Sequence, residues 1–226
     1  MSKNYKKAVA ATSQHHIQLV YPIKNAREPG SLWHCLHPRS FMKWDWSEDA
    51  DPRVVDIWHL KDELCFGQDV VYAKWFRGRA TFFSKEIFVP VLCLLETTQV
   101  DEIHRSIHAT DIYEELLDES PQTPKLVRQA VDLSGSQNRS DYEKGVKLLW
   151  EQLLIVGTGE VDEGQFPALA MGATKHIFEE LWHEARSMDP LDASHQCRDL
   201  LRADSPFYKF LNRMMIKFAG RGLQSD

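Results

Sequence analysis

The stretch Asn138–Met171, NRSDYEKGVKLLWEQLLIVGTGEVDEGQFPALAM, changes its hydrophobic period midway. Tyr142, Val146, Leu149 and Leu153 recur at helical spacing. Leu154–Val161 then alternates as a strand does, and Asp162–Gln165 forms a turn before a second apolar run, Phe166–Met171. A helix feeding directly into a hairpin leaves few architectures open. Ser140-x-x-Glu143 reads as a capping box at the helix start. Gly145 sits inside the helix, at a cost of roughly 1 kcal/mol against alanine, so it predicts close packing against a neighbour.

The elements before this stretch narrow the choice further. Asp101–Glu119 is acidic and helical, with Ile107, Ile112, Leu116 and Leu117 as apolar points, and Pro121 stops it. Thr123 followed by Pro124 starts another helix, TPKLVRQAVDL. Helix, helix, turn, helix and hairpin is the order of a winged helix-turn-helix, in which three short helices and a hairpin bury one small core. Its helices fall at Ala109–Glu119, Pro124–Val131 and Asp141–Leu153, and its wing at Leu154–Met171. The third helix keeps one side free for a major groove.

Residues 15–97 have a different texture. His16–Ile23, Asp69–Phe76 and Thr81–Phe83 read as strands, while Ser31, Pro52 and Ser84 mark helix starts. Pro90, inside Lys85–Glu96, predicts a kink or an early break. Five of the seven tryptophans lie between Trp33 and Trp75. The fold class is therefore α+β: an aromatic-rich α+β unit at 15–97, a winged helix-turn-helix at 98–186, and further helices over 187–226. Residues 1–14 are basic and polar, with no long apolar segment, and read as a disordered tail.

Composition excludes several classes. A net charge of −6 argues against a uniformly basic coat but leaves room for one basic face. Between Thr123 and Trp150 the bases Lys125, Arg128, Arg139, Lys144 and Lys147 outnumber the acids Asp132, Asp141 and Glu143. Those five bases are the candidate phosphate contacts on DNA, and Gln137 and Asn138 can read base edges. Asp162 and Glu163 at the wing tip would repel phosphate, so the wing is not expected to clamp DNA. No apolar run reaches the ~20 residues of a membrane span. The four cysteines form no CxxC pair, which fits reduced thiols in a cytoplasmic protein.

Other clusters have chemistry to offer. Trp58, Lys61 and Asp62 lie within about one helical turn, and Tyr72 and Lys74 follow. Together they suit either a polar pocket with an aromatic wall for an unpaired base, or a buried lysine–aspartate pair fixing helix to strand. Lys74, Arg77 and Arg79 flank Trp75 and Phe76, a pattern that suits phosphate beside a stacking ring or an ordinary hairpin turn. His104 with His108, and His34-Cys35-x-His37, have partial metal-ligand spacing but no completing set. No metal site and no cofactor are expected. GTGEVDEG is acidic and precedes a strand, which disfavours nucleotide cradling.

Two of these blocks resemble a bacterial and archaeal winged-helix family related to AlkZ-like DNA glycosylases. The first, Trp58–Glu96, carries Trp58, Lys61, Asp62, Tyr72, Lys74, Thr81, Phe82, Ser84 and Pro90 at the family's pattern positions. The second is centred on LSGSQNRSDYEKGVKLLWEQLLIV. The resemblance covers somewhat over half the chain and implies a winged-helix fold. The glycosylases are similar to a longer chain that excises damaged bases with a Gln-x-Asp or Gln-x-Gln motif. Gln99-Val100-Asp101 has that spacing, and the resemblance implies for Asp101 the stabilising of a sugar cation or the activation of water, and for Gln99 the positioning of that water. Three functions follow as expectations: a DNA-binding winged helix, regulatory or repair-associated; a small glycosylase; and an interaction module whose partner is another protein or a second copy.

Overall fold

The computed structural model describes residues 2–44, 51–97, 106–162 and 167–219. The chain is α+β, with two small antiparallel sheets among many helices.

A three-stranded sheet orders the first half. Its strands are β1 (Ile17–Leu19), β2 (Val71–Ala73) and β3 (Thr81–Phe83), with β3 in the centre. Ile17 and Val71 both pair with Phe83, and Gln18 and Tyr72 both pair with Phe82. Because side chains alternate along a strand, Ile17, Val71, Ala73 and Phe83 enter the larger core, while Tyr72 and Phe82 enter a second one on the opposite face. The second core is closed by α1 (Lys3–His15), α2 (Leu32–Leu36) and α3 (Pro52–Gly67).

The helix α1 corrects the expectation of a disordered tail. Ser2 caps it by accepting from Tyr5 N. Tyr5, Ala8 and Thr12 are buried, and the Tyr5 hydroxyl donates to Asp69 at 2.7 Å. A stripe made of a tyrosine, an alanine and a threonine carries little hydrophobic signal, yet it packs against the sheet. Ser31, Asp51 and Ser84 cap their helices as their positions predict.

The other face of the sheet is covered by α4 (Lys85–Thr97), which continues through Pro90 without a break. Ile87, Phe88 and every residue from Val91 to Leu95 are buried, so α4 is apolar on nearly all sides, as a central helix must be. Next come α5 (Ile107–Asp118), α6 (Pro124–Ala130), α7 (Arg139–Glu151), and the hairpin of β4 (Ile155–Asp162) and β5 (Pro167–Ala173). The predicted capping box does not form. Helix α7 begins at Arg139, Asn138 makes no side-chain cap, and Glu143 turns to Arg139 instead. Gly145 lies where α7 crosses α5: a Cβ there would come within 2.9 Å of Ile112 Cδ1.

After a single turn, Thr174–Ile177, the chain ends in α8 (Glu179–Ser187), α9 (Pro190–Leu200) and α10 (Pro206–Ala219). All three pack on α4. The expectation that three helices and the hairpin bury a small core of their own is corrected here. Their apolar residues share one continuous core with Ile17, Val71, Trp75, α4 and α10. Among the described residues, no helix is long and apolar enough to cross a membrane.

Candidate functional site

Helix α3 and strand β4 meet face to face. Asp51 caps α3 and Pro52 opens it, which sets the register that turns Trp58, Lys61 and Cys65 along one side. Strand β4 reaches that side because it carries Gly157 and Gly159. A Cβ at Gly159 would lie 2.6 Å from the Phe66 ring, and one at Gly157 would lie 2.5 Å from the Tyr72 ring. Gly159 has φ +114°, beside a bulge in the β4–β5 ladder. The bulge places Glu160 over α3.

Glu160 closes the cluster. Its Oε2 accepts from Trp58 Nε1 at 3.0 Å and its Oε1 accepts from Lys61 Nζ. The Lys61 ammonium also lies 3.9 Å from the centre of the Trp58 ring and 3.5 Å from Asp62 Oδ1. Lys61 is 5% exposed and the Glu160 side chain 9%. Burial pushes the Asp62 carboxyl above its usual range; Lys61 opposes that shift and Glu160 adds to it. The same surroundings raise Tyr72 and Tyr21, with desolvation as the first cause and Glu160 among the charges that follow. Lys74 keeps surface exposure, but desolvation of its head and then Lys61 lower its pKa.

Of the five residues expected at a pocket, Trp58, Lys61 and Asp62 meet around Glu160, while Tyr72 and Lys74 lie near enough to feel its charge. Their central partner, Glu160, lies 99 residues from Lys61 and has only one sequence signal, an acid directly after Gly-x-Gly within a strand. The pairing expected from sequence was Lys61 with Asp62. In the structure Asp62 is the secondary partner, and its Oδ1 is buried without a hydrogen bond. Chemically, the arrangement fastens helix to hairpin.

The basic residues of α6 and α7 form a second region. The side chains of Arg139, Lys144 and Lys147 are 72%, 73% and 67% exposed. Each has a carboxylate on its own helix: Glu143 at 2.7 Å, Asp141 at 3.2 Å and Glu151 at 3.9 Å respectively. Glu151 also accepts from Lys217 of α10 at 2.7 Å. Arg128 stacks its guanidinium 4.8 Å from the centre of the Tyr142 ring. Lys125 and Gln137 are exposed. Asn138 spends its amide closing the preceding turn, donating to Asp132 O and Ser134 O.

The remaining candidates separate. Gln99, Asp101, His104 and Glu163 lie outside the described residues. Trp75 and Phe76 cannot stack on a base, because both are buried against Phe210. The chain between them and β3 is a 3-10 turn in which Arg77 has φ 54°. His37 packs on Trp33 at 4.9 Å. Among the described residues, no group of three or more His, Cys, Asp or Glu is arranged to hold a metal ion.

No curated protein and no solved structure matches this chain. The family described as AlkZ related matches residues 2–207, a span that takes in the clasp, the basic helices and the hairpin alike. The chain belongs to the AlkZ-related family.

Proposed function

We propose that this is a DNA-binding, repair-associated protein, and that residues 107–173 act as a winged helix-turn-helix with α7 laid against a duplex. Membership of the AlkZ-related family supports the association with DNA repair. The exposed outer face of α7, with Arg139, Lys144 and Lys147 at its surface, carries the choice of this helix. Exposed ion pairs contribute little in water, so a phosphate can take these cations from Glu143 and Asp141. Lys125 and Arg128 extend the same basic stretch along α6. The hairpin is fastened to α3 through Glu160 and has Asp162 at its outer end, so it acts as a brace and α7 makes the contact.

A salt series on mixed-sequence duplex DNA tests this. Binding should fall steeply as salt rises, and Arg139→Ala/Lys144→Ala should weaken it about tenfold and flatten the slope by roughly two counterions. Absence of binding at low salt would remove the proposal.

One observation favours a second reading, an interaction module. Glu143 and Asp141 balance Arg139 and Lys144 pair by pair at the surface, as suits a partner surface or a second copy with alternating charge. Sedimentation that shows a dimer dissociated by Arg139→Glu would favour this reading over DNA.

A further inference from the structure

A cleft of about 660 Å3 opens between the C-terminal end of α1, β1 and α2 on one side and the α9–α10 turn on the other. That is the size of a small-molecule site. Ile17, Leu201 and Phe207 give it an apolar wall and are themselves buried. Gln18 lies in the same wall, its amide fixed by Thr12 and by the Cys35 thiol, which donates to its Oε1 at 3.3 Å.

The polar side chains converge on one kind of ligand. Among the described residues, Arg27 makes no ion pair, so its guanidinium is uncommitted at the cleft. Arg202 is held bidentately by Asp204, Nε to Oδ1 at 3.1 Å and Nη2 to Oδ2 at 2.7 Å. His34 Nδ1 lies 3.1 Å from Ser31 Oγ, and that oxygen also accepts from His34 N. This arrangement favours the ring proton on Nε2. Burial, and then Arg27, lower the His34 pKa, so the ring is a neutral donor that an anion can recruit. His16 lines the cleft on a backbone at φ 61°, ψ −47°. Its Nδ1 is buried without a hydrogen bond, 3.6 Å from Glu86 Oε2. A non-glycine residue held there is strained, and such strain gathers at ligand sites.

We propose that this cleft binds a small organic phosphate monoester, with Arg27 and His34 as its oxyanion partners and the Leu201–Phe207 wall against its apolar body. A phosphate monoester is preferred to a carboxylate because its three terminal oxygens can accept from Arg27 and His34 Nε2 and still offer one to Arg202, whereas a carboxylate has two oxygens to share. Glu28 and Asp204 at the same rim oppose either anion, so the preference rests on acceptor geometry and not on net charge. None of these residues belongs to α6 or α7, so the site stands or falls separately from the DNA-binding reading.

The experiment is a titration of the full chain with phenyl phosphate, benzoate and inorganic phosphate, read by the imidazole carbon–proton signals in NMR. Phenyl phosphate should shift the His34 signals and bind at least tenfold more tightly than benzoate, with inorganic phosphate between them or weaker. Arg27→Ala should weaken phenyl phosphate at least tenfold with the far-UV spectrum unchanged, and Arg27→Lys should restore part of the loss. No His34 shift at millimolar phenyl phosphate, an equal response to benzoate, or indifference to Arg27→Ala would each overturn the proposal.

Discussion

The chain uses cation–carboxylate pairs in two settings, to opposite effect. On α7 the pairs Arg139–Glu143 and Lys144–Asp141 are local, three or four residues apart, and more than half of each cation is in solvent. Between α3 and β4 one pair spans 99 residues, and both partners are nearly dry. An exposed pair exchanges its partners freely and stays available to a ligand. A buried pair has lost its water and is tied to one geometry. The clasp therefore makes architecture, whereas the α7 pairs leave a surface open.

The sharpest way to break that contrast is to remove one half of the clasp. Lys61→Met strands Glu160 and should cost about 3–5 kcal/mol in urea unfolding. Replacing both residues with methionine should recover most of that loss, because no charge is then left unpaired. If the single variant unfolds like the parent, the clasp is not what holds the hairpin.

The next largest effect is steric. Gly159→Ala forces a side chain onto the Phe66 ring at a positive φ and should cost roughly 1–3 kcal/mol. It should also loosen Glu160, so a double-mutant cycle with Lys61→Met should show coupling.

Asp62→Asn sharpens the comparison through pH. The Asp62 carboxyl is raised in the folded chain, so its ionisation opposes folding. The opposition is absent below the unfolded pKa, about 3.9, and grows as pH rises through the folded value. Asp62→Asn should therefore stabilise the protein at neutral pH, and the gain should vanish in acid. A gain that persists at pH 3 would contradict this assignment.

The smallest effect on stability belongs to the exposed pairs. Arg139→Ala should leave the unfolding midpoint within error while weakening DNA binding several-fold. A clear loss of stability would mean that the α7 pairs are structural after all.

Much of the local structure was legible in advance. The helix starts at Ser31, Pro52, Ser84 and Thr123, the strand Thr81–Phe83 and the succession from α5 to the hairpin all rest on signals a few residues long. The same kind of reading failed at α1, whose buried stripe is too weakly apolar to stand out. It also failed at Ser140-x-x-Glu143, where the capping pattern lies within a helix that starts earlier. For the candidate site, Trp58, Lys61 and Asp62 could be grouped because they lie within one helical turn, and Tyr72 and Lys74 because they are two residues apart. Glu160 could not be added, since nothing local ties a strand acid to a lysine 99 residues away.

By itself, the sequence determined most of the helices and strands after α1, the crossing at Gly145, and the presence of a basic stretch over α6 and α7. Caps, periodicity and missing side chains act over one or two turns, so neighbouring residues suffice to read them. Only the tertiary structure decided that the hairpin leans on α3, that one core runs through both halves, and that Glu160 meets Lys61. Those outcomes depend on which surfaces exclude water together, and that is settled when distant segments compete for the same apolar area.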